Sequence, residues 1–291
     1  MSLASGERRQ LKPDVPHSSK FSIIACGFTA GLKEVLELGR TTLGLRVKGQ
    51  WKEKIMRYSI ALLVLGVAAT VQAAHITKEL APPPPGTTLP VLIDRTLKPH
   101  DLQAGQPVTA ELAQTVPVSA RVSLPQGAKL DGHIVNVNYF SISILFEQLR
   151  WKGQTLPVHV RLIAAAATYD VYNTRLPVGG TDRGTSSPAD WTTRQVGGDE
   201  VYLSAGSGTV YDQYSQPVGY ADSSGVYASP SASGALPHAM GPFSTTATGL
   251  HGFRELSIVS SGGANTPITL AASRPDWQIG NGSAFLLEVV H

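Results

Sequence analysis

The sequence predicts a mainly β chain: a small antiparallel β-barrel or sandwich with a long loop-rich Gly/Ser/Tyr insertion, preceded by one apolar N-terminal helix. Three observations predict it. Short runs alternate apolar and polar residues and are separated by glycine and proline turns. One uncharged apolar run follows a basic stretch near the start. Residues 175–249 are rich in Gly, Ser, Thr and Tyr and hold no sustained apolar period. Composition agrees, with 42% hydrophobic and 15% charged residues, 29 glycines and 20 prolines. Such a chain buries a core and favours short strands over long helices.

The first segment, residues 1–55, is basic. Residues 1–73 carry a net charge of +6 and residues 74–291 carry −3. The high overall isoelectric point therefore belongs to the N-terminal part and gives no reason to expect nucleic acid as a partner. Gly31 to Leu45 has modest helical periodicity, weakened by Gly39 and Gly44.

Residues 56–74 form the apolar segment. Tyr58 to Val71 reads YSIALLVLGVAATV, with Lys52, Lys54 and Arg57 just before it. Basic residues, an apolar stretch and a small-residue site ending at Ala73, with cleavage before Ala74, are the parts of a secretory signal in order. The run is short for a span of about 20 residues. Two readings stand open. Translation from Met56 makes the run a cleavable signal; translation from Met1 makes it an uncleaved anchor with its basic side in the cytoplasm. Both bring residues 58–74 to the bacterial membrane. Both place the rest outside the cytoplasm: periplasmic, in the outer envelope, secreted, or anchored to the inner membrane.

Residues 75–87 contain Ala81-Pro-Pro-Pro-Pro-Gly86, a stiff extended spacer. The exported domain, residues 88–291, follows. Val108, Ala110 and Leu112 alternate with polar neighbours, as do Val118 to Leu124, Ile142 to Phe146 and Leu156 to Leu162. Gly105, Gly127 and Gly153 supply the turns. After the insertion at about 175–249, strand character returns near Leu256, near Ile268 and over Ala284–Val290. The last is expected to complete the same barrel. The only cysteine, Cys26, precedes the exported domain, so neither a disulfide nor a cysteine zinc site is available there.

Four segments carry a family resemblance. They are Gly86-Thr-Thr-Leu-Pro-Val-Leu-Ile-Asp-Arg-Thr-Leu, Ala104-Gly-Gln-Pro-Val-Thr-Ala-Glu-Leu-Ala-Gln-Thr-Val, Val122-Ser-Leu-Pro-Gln-Gly-Ala-Lys-Leu-Asp-Gly-His-Ile-Val and Ile142-Ser-Ile-Leu-Phe-Glu-Gln-Leu-Arg-Trp-Lys-Gly-Gln-Thr-Leu-Pro-Val. Over residues 86–160 the chain resembles the β-domain of the type IV secretion and conjugal-transfer channel scaffold family (TrbI-like). It is also similar to secreted bacterial proteins that reuse that module. Pro125, Gly127 and Gly132 are the signature turn residues: a tight connection, then a place where a strand bends or a backbone comes close. The resemblance implies a fold, and homo-oligomers in a channel. No amphipathic helix pair resembles the family's outer-membrane antenna.

Candidate chemistry is sparse. The histidines form no close ligand pair, and Gly206-Ser207-Gly208 lacks the spacing of a nucleophile elbow. His133, Asp131 and Asp101 are a set that space alone could bring together. Asp199, Glu200 and Asp212 are carboxylates without a calcium-loop pattern. No cofactor, metal or catalytic residue is expected. Trp191, Tyr202, Tyr211, Tyr214, Tyr220 and Tyr227 stand out as aromatics in a polar surface, a common grip for sugars or proteins. The expected function is a non-catalytic, envelope-associated structural or interaction protein with an envelope protein as partner. The alternative is a secreted carbohydrate- or surface-binding protein, with a glycan as partner; a hydrolase is third.

Overall fold

The computed structural model describes residues 81–178, 192–204, 206–230 and 232–291. The basic segment, the apolar run with the helix expected there, the Ala73–Ala74 site and Trp191 lie outside the described residues. Among the described residues no helix is long and apolar enough to cross a membrane.

The first strands are β1 (Thr88–Ile93), β2 (Pro107–Leu112), β3 (Val116–Ser119), β4 (Val122–Leu124), β5 (Lys129–Asn138) and β6 (Ser141–Trp151). Then come β7 (Gln154–Pro157), β8 (Val160–Ala166) and a short helix α1 (Thr168–Asn173). Six strands follow: β9 (Thr192–Arg194), β10 (Glu200–Ser204), β11 (Ser207–Tyr211), β12 (Pro217–Asp222), β13 (Gly225–Ala228) and β14 (His238–Ala239). The chain ends with β15 (Gly249–His251), β16 (Leu256–Gly263), β17 (Thr266–Ala272) and β18 (Ala284–Val289).

Eight of these close a barrel. The ring runs β8–β16–β17–β6–β5–β2–β1–β18 and returns to β8. Every pairing around it is antiparallel. The alternating runs become its staves. Val108, Ala110 and Leu112 point inward, and Thr109 and Glu111 stay partly exposed. Phe285, Leu287 and Val289 of β18 do the same. Leu89, Ile93, Leu130, Ile134, Phe146 and Phe285 are at most 1% exposed, so side chains fill the interior. An eight-stranded barrel is just wide enough for that. The seam between β8 and β16 is thin, a single paired position, Gly262 with Arg161.

Two expected strands are each broken in two. Val118 to Leu124 is a hairpin, β3 and β4, because Ser119, Ala120 and Arg121 are exposed and turn the chain. Leu156 to Leu162 divides at Val158–His159, so that β7 pairs with β6 while β8 moves into the ring. Burial stays alternate across the break, with Leu156, Val158, Val160 and Leu162 all inside. Periodicity records which face is buried and is blind to a change of partner.

Among its described residues the insertion carries turns and loops, as expected, but also a regular element that was not. It is a six-stranded antiparallel sheet in the order β14–β13–β12–β11–β10–β9. Its strands are two to six residues long. The shortest of these display no period, and in β11 and β12 Gly208 and Gly219 remove the apolar side chain where alternation would show. Both glycines are forced. A Cβ at Gly208 would strike the Tyr202 carbonyl, and one at Gly219 the Tyr227 carbonyl.

The outer wall of the barrel is also buried where β1, β18 and β8 meet. Leu92, Ala164, Ala166 and Leu286 point outward there and pack with Val171, Val196, Met240 and Phe243 in a second core. A register shift between Leu286 and Leu287 in the β8–β18 pair lets Ala165 face in while Ala164 and Ala166 face out. The proline segment is tied down as well. Pro83 is buried, Thr87 donates to the Pro84 carbonyl, and Gly86 N–H donates to Val289 O at 2.9 Å.

Pro125 and Gly127 lie in the β4–β5 turn, where Ala128 N–H donates to Pro125 O at 3.2 Å and Gly127 has φ +79°. Gly132 sits at a bulge between β5 and β6, and a Cβ there would collide with the Leu145 carbonyl. Main chain cannot swing aside as a side chain can. Gly132→Ala is therefore expected to cost about 3 kcal/mol, the upper end for overpacking. Gly127→Ala, whose Cβ meets nothing within 4 Å, is expected to cost only the left-handed backbone, about 1 kcal/mol. Urea denaturation of the two variants checks the order.

Candidate functional site

Register in the six-stranded sheet decides which aromatics meet. Tyr202 on β10 pairs with Thr209 on β11, Thr209 with Tyr220 on β12, and Tyr220 with Tyr227 on β13. Directly paired residues share a face, so these four form a row across four strands. Glu200 pairs with Tyr211, which puts both on that face as well. Val201, Leu203, Val210, Ala221 and Val226 fall on the other face, where Val201, Val210 and Ala221 form a small core of their own.

The rings are organised in two pairs. Tyr202 and Tyr211 meet edge to face, centroids 5.3 Å apart and planes at 89°. Tyr220 and Tyr227 stack with centroids 5.2 Å apart and planes at 25°. Glu200 anchors the first pair: it accepts from the Tyr202 hydroxyl at 2.9 Å and from Arg194 at 2.6 Å. Tyr214 stands on the β11–β12 turn at 73% exposure. Asp212 shapes that turn, its Oδ1 accepting from the N–H groups of Tyr214 and Gln216 at 2.9 and 2.8 Å. Between the first pair and the turn lies a shallow hollow of about 310 Å³, bounded by Glu200, Tyr202, Thr209, Tyr211, Asp212 and Ser215.

The aromatics named from the sequence thus separate. Tyr202, Tyr211 and Tyr220 come together on one face, and Tyr214 joins them at its edge. Tyr227 belongs to the fold rather than the surface. It is 3% exposed, and its hydroxyl donates to Thr115 O at 2.9 Å and lies 3.0 Å from Ser224 Oγ. Burial pushes its phenol above the ordinary range, the Asp222 and Tyr220 charges add to that, and the Ser224 hydrogen bond opposes it. Tyr220 is raised too, by burial first and by Asp222 second.

The other sequence candidates do not converge. His133 Nδ1 lies 3.2 Å from Glu147, Asp131 pairs with Arg150 at 3.0 Å, and Asp101 lies 3.5 Å from His100. Asp199 is buried and accepts from the N–H and hydroxyl of Thr245, both at 2.8 Å. Its neighbour Glu200 lies on the aromatic face, and Asp212 is engaged in its own turn. Ser207 opens β11 in a hairpin opposite Ser204, rather than at a strand-to-helix turn. Among the described residues no three or more His, Cys, Asp or Glu are grouped so as to hold a metal ion.

One residue escaped the sequence reading. Gln114, in the β2–β3 connection, is 4% exposed and joins the sheet to the barrel. Its Nε2 donates to Val226 O at 2.9 Å, and its Oε1 accepts from the N–H groups of Val226 and Gly241, both at 2.9 Å. The side-chain amide stands where a neighbouring strand's peptide would. A lone glutamine between two strands carries no sequence signal for that.

Compared with known protein families, curated proteins and solved structures, the chain matches none of them.

The raised phenol of Tyr227 predicts a pH dependence. Its folded value lies above its unfolded value of about 10. The stability it contributes is fully present below that pH and is lost as pH rises through the folded value. Urea midpoints are expected to fall above about pH 10, and less steeply in Tyr227→Phe. Equal slopes would assign the alkaline loss to other groups, Tyr220 first.

Proposed function

We propose that the chain is a non-catalytic interaction protein of the bacterial envelope. In this reading the filled barrel is a rigid frame, and the outer face of the six-stranded sheet grips an envelope protein. The observation that carries the proposal is the gathering of Tyr202, Tyr211 and Tyr220 on one face, with the exposed Tyr214 at its edge. Tyrosines supply a large amphipathic contact area and lose few rotatable bonds on binding. Export is supported by the basic-then-apolar N-terminal pattern and by the change of net charge across it. The four segments that resemble the conjugal-transfer scaffold span β1, β2, most of β4–β5 and β6–β7 with their connections, which supports a frame role for this module. A channel role would require a ring of copies, because side chains fill the space inside each barrel.

A second reading is favoured by the hollow beside Tyr202 and Tyr211. Two rings, two carboxylates and the hydroxyls of Thr209 and Ser215 are the mixture that saccharides use, apolar faces against rings and hydroxyls against polar groups.

Photo-crosslinking in intact cells tests the first reading. A benzophenone side chain in place of Tyr214 is expected to yield a discrete protein adduct, lost when Tyr211→Ala is added. The same group in place of exposed Arg121 is expected to yield none. A glycan array with the full chain tests the second. Saturable binding that weakens about tenfold in Tyr211→Ala would move the assignment to a glycan. Neither adduct nor glycan would remove the aromatic face as a binding surface.

A further inference from the structure

The inner face of the six-stranded sheet does not close fully on the barrel. A cleft of about 350 Å³ remains between them. That lies within the size range of small-molecule sites, about 300–1,000 Å³. It lies on the side of the sheet opposite the tyrosines and stands independently of their reading.

The walls are mostly apolar, with Thr174 and Thr193 among them, and come from three layers. Leu92 projects from the outer wall of β1, Val171 from α1, and Val201, Leu203, Ala221 and Val226 from the sheet. The amides in the lining are already used. Gln114 spends both ends on Val226 and Gly241. Gln195, with its nitrogen turned to the carbonyls of Gly241 and Pro242, donates to them at 2.8 and 3.2 Å. Little in the walls rewards a polar guest.

Two charged residues border the cleft. Arg175, just after α1, is exposed and forms no ion pair with any described residue. Asp222, at the end of β12, has Oδ1 engaged by Ser224 through its N–H at 2.8 Å and its hydroxyl at 2.5 Å. An unpaired guanidinium beside an apolar hollow favours a carboxylate carried on an apolar body. The carboxylate of Asp222 disfavours a second negative charge on the same guest.

We propose that this cleft binds a small amphipathic monoanion, its apolar body between the sheet and the barrel and its carboxylate on Arg175. A volume at the lower end of the range for small-molecule sites suits a short guest rather than a long-chain one. A medium-chain aliphatic carboxylate has that size and charge.

Isothermal titration of the full chain with decanoate, below its micelle concentration, tests the proposal. Saturable binding at one site per chain is expected. Decylammonium and the ten-carbon α,ω-dicarboxylate are expected to bind at least about tenfold more weakly, and Arg175→Gln to weaken decanoate about tenfold. Ala221→Phe, which fills the cleft, is expected to abolish binding. Should that variant fail to fold, amide NMR of the unaltered chain decides, with shifts expected at Val201, Leu203 and Val226. No saturable binding would overturn the proposal. So would equal affinity for decylammonium, undiminished binding in Arg175→Gln, or shifts confined to other strands.

Discussion

Closure of the barrel by its last strand is the constraint on which everything else depends. β18 lies between β1 and β8, so the final residues of the chain join its first described strand to its middle. Until β18 is in place, Leu89, Val91 and Leu162 have no continuous wall behind them, and two strands are left with open edges. Its inward side chains, Phe285, Leu287 and Val289, complete the main core. Its outward ones, Ala284 and Leu286, belong to the second core. One strand therefore serves two layers, which is why its sequence reads as a nearly continuous apolar run.

The six-stranded sheet is built on that wall. Its attachment combines apolar packing at Val171, Val196, Met240 and Phe243 with the three hydrogen bonds of Gln114. The two contributions differ in kind. The packing is non-directional and tolerates sliding. The glutamine pins one position, because its loss leaves the half-buried N–H groups of Val226 and Gly241 without their acceptor, at a cost of up to about 1–3 kcal/mol each. Thr88 and Tyr227 add further ties, to Ala239 O at 2.8 Å and Thr115 O at 2.9 Å. The tie at Tyr227 covers the tyrosine face at β13 only, and that face stays open around Tyr202, Tyr211 and Tyr220.

The barrel was legible in the sequence and the attached sheet was not, for physical reasons. Val108, Ala110 and Leu112 alternate because one side of their strand meets the core and the other faces polar surroundings. Gly105, Gly127 and Gly153 all have positive φ, between +76° and +83°, so the turns were legible too. In β10 to β13 the apolar members are few, two are replaced by glycine, and tyrosine occupies the opposite face. Apolar-period reasoning therefore found nothing to count. The tyrosines were visible as a group, but only register shows that Tyr202, Tyr211 and Tyr220 share a surface, and only the packing against Thr115 shows that Tyr227 is buried at its end. Arg175 and Ala221 lie far apart in sequence and border one cleft, a relation that no local pattern encodes.

Native-state hydrogen exchange on the full chain, with and without Gln114→Ala, tests the central claim that the closed barrel is the frame and the sheet depends on it. In the unaltered chain the amides of β1, β8 and β18 are expected to exchange only through global unfolding. In Gln114→Ala the amides of Val226, Gly241 and β10 to β13 are expected to lose protection while those of the three barrel strands keep theirs. Equal loss of protection in barrel and sheet, or unchanged protection at Val226 and Gly241, would contradict it.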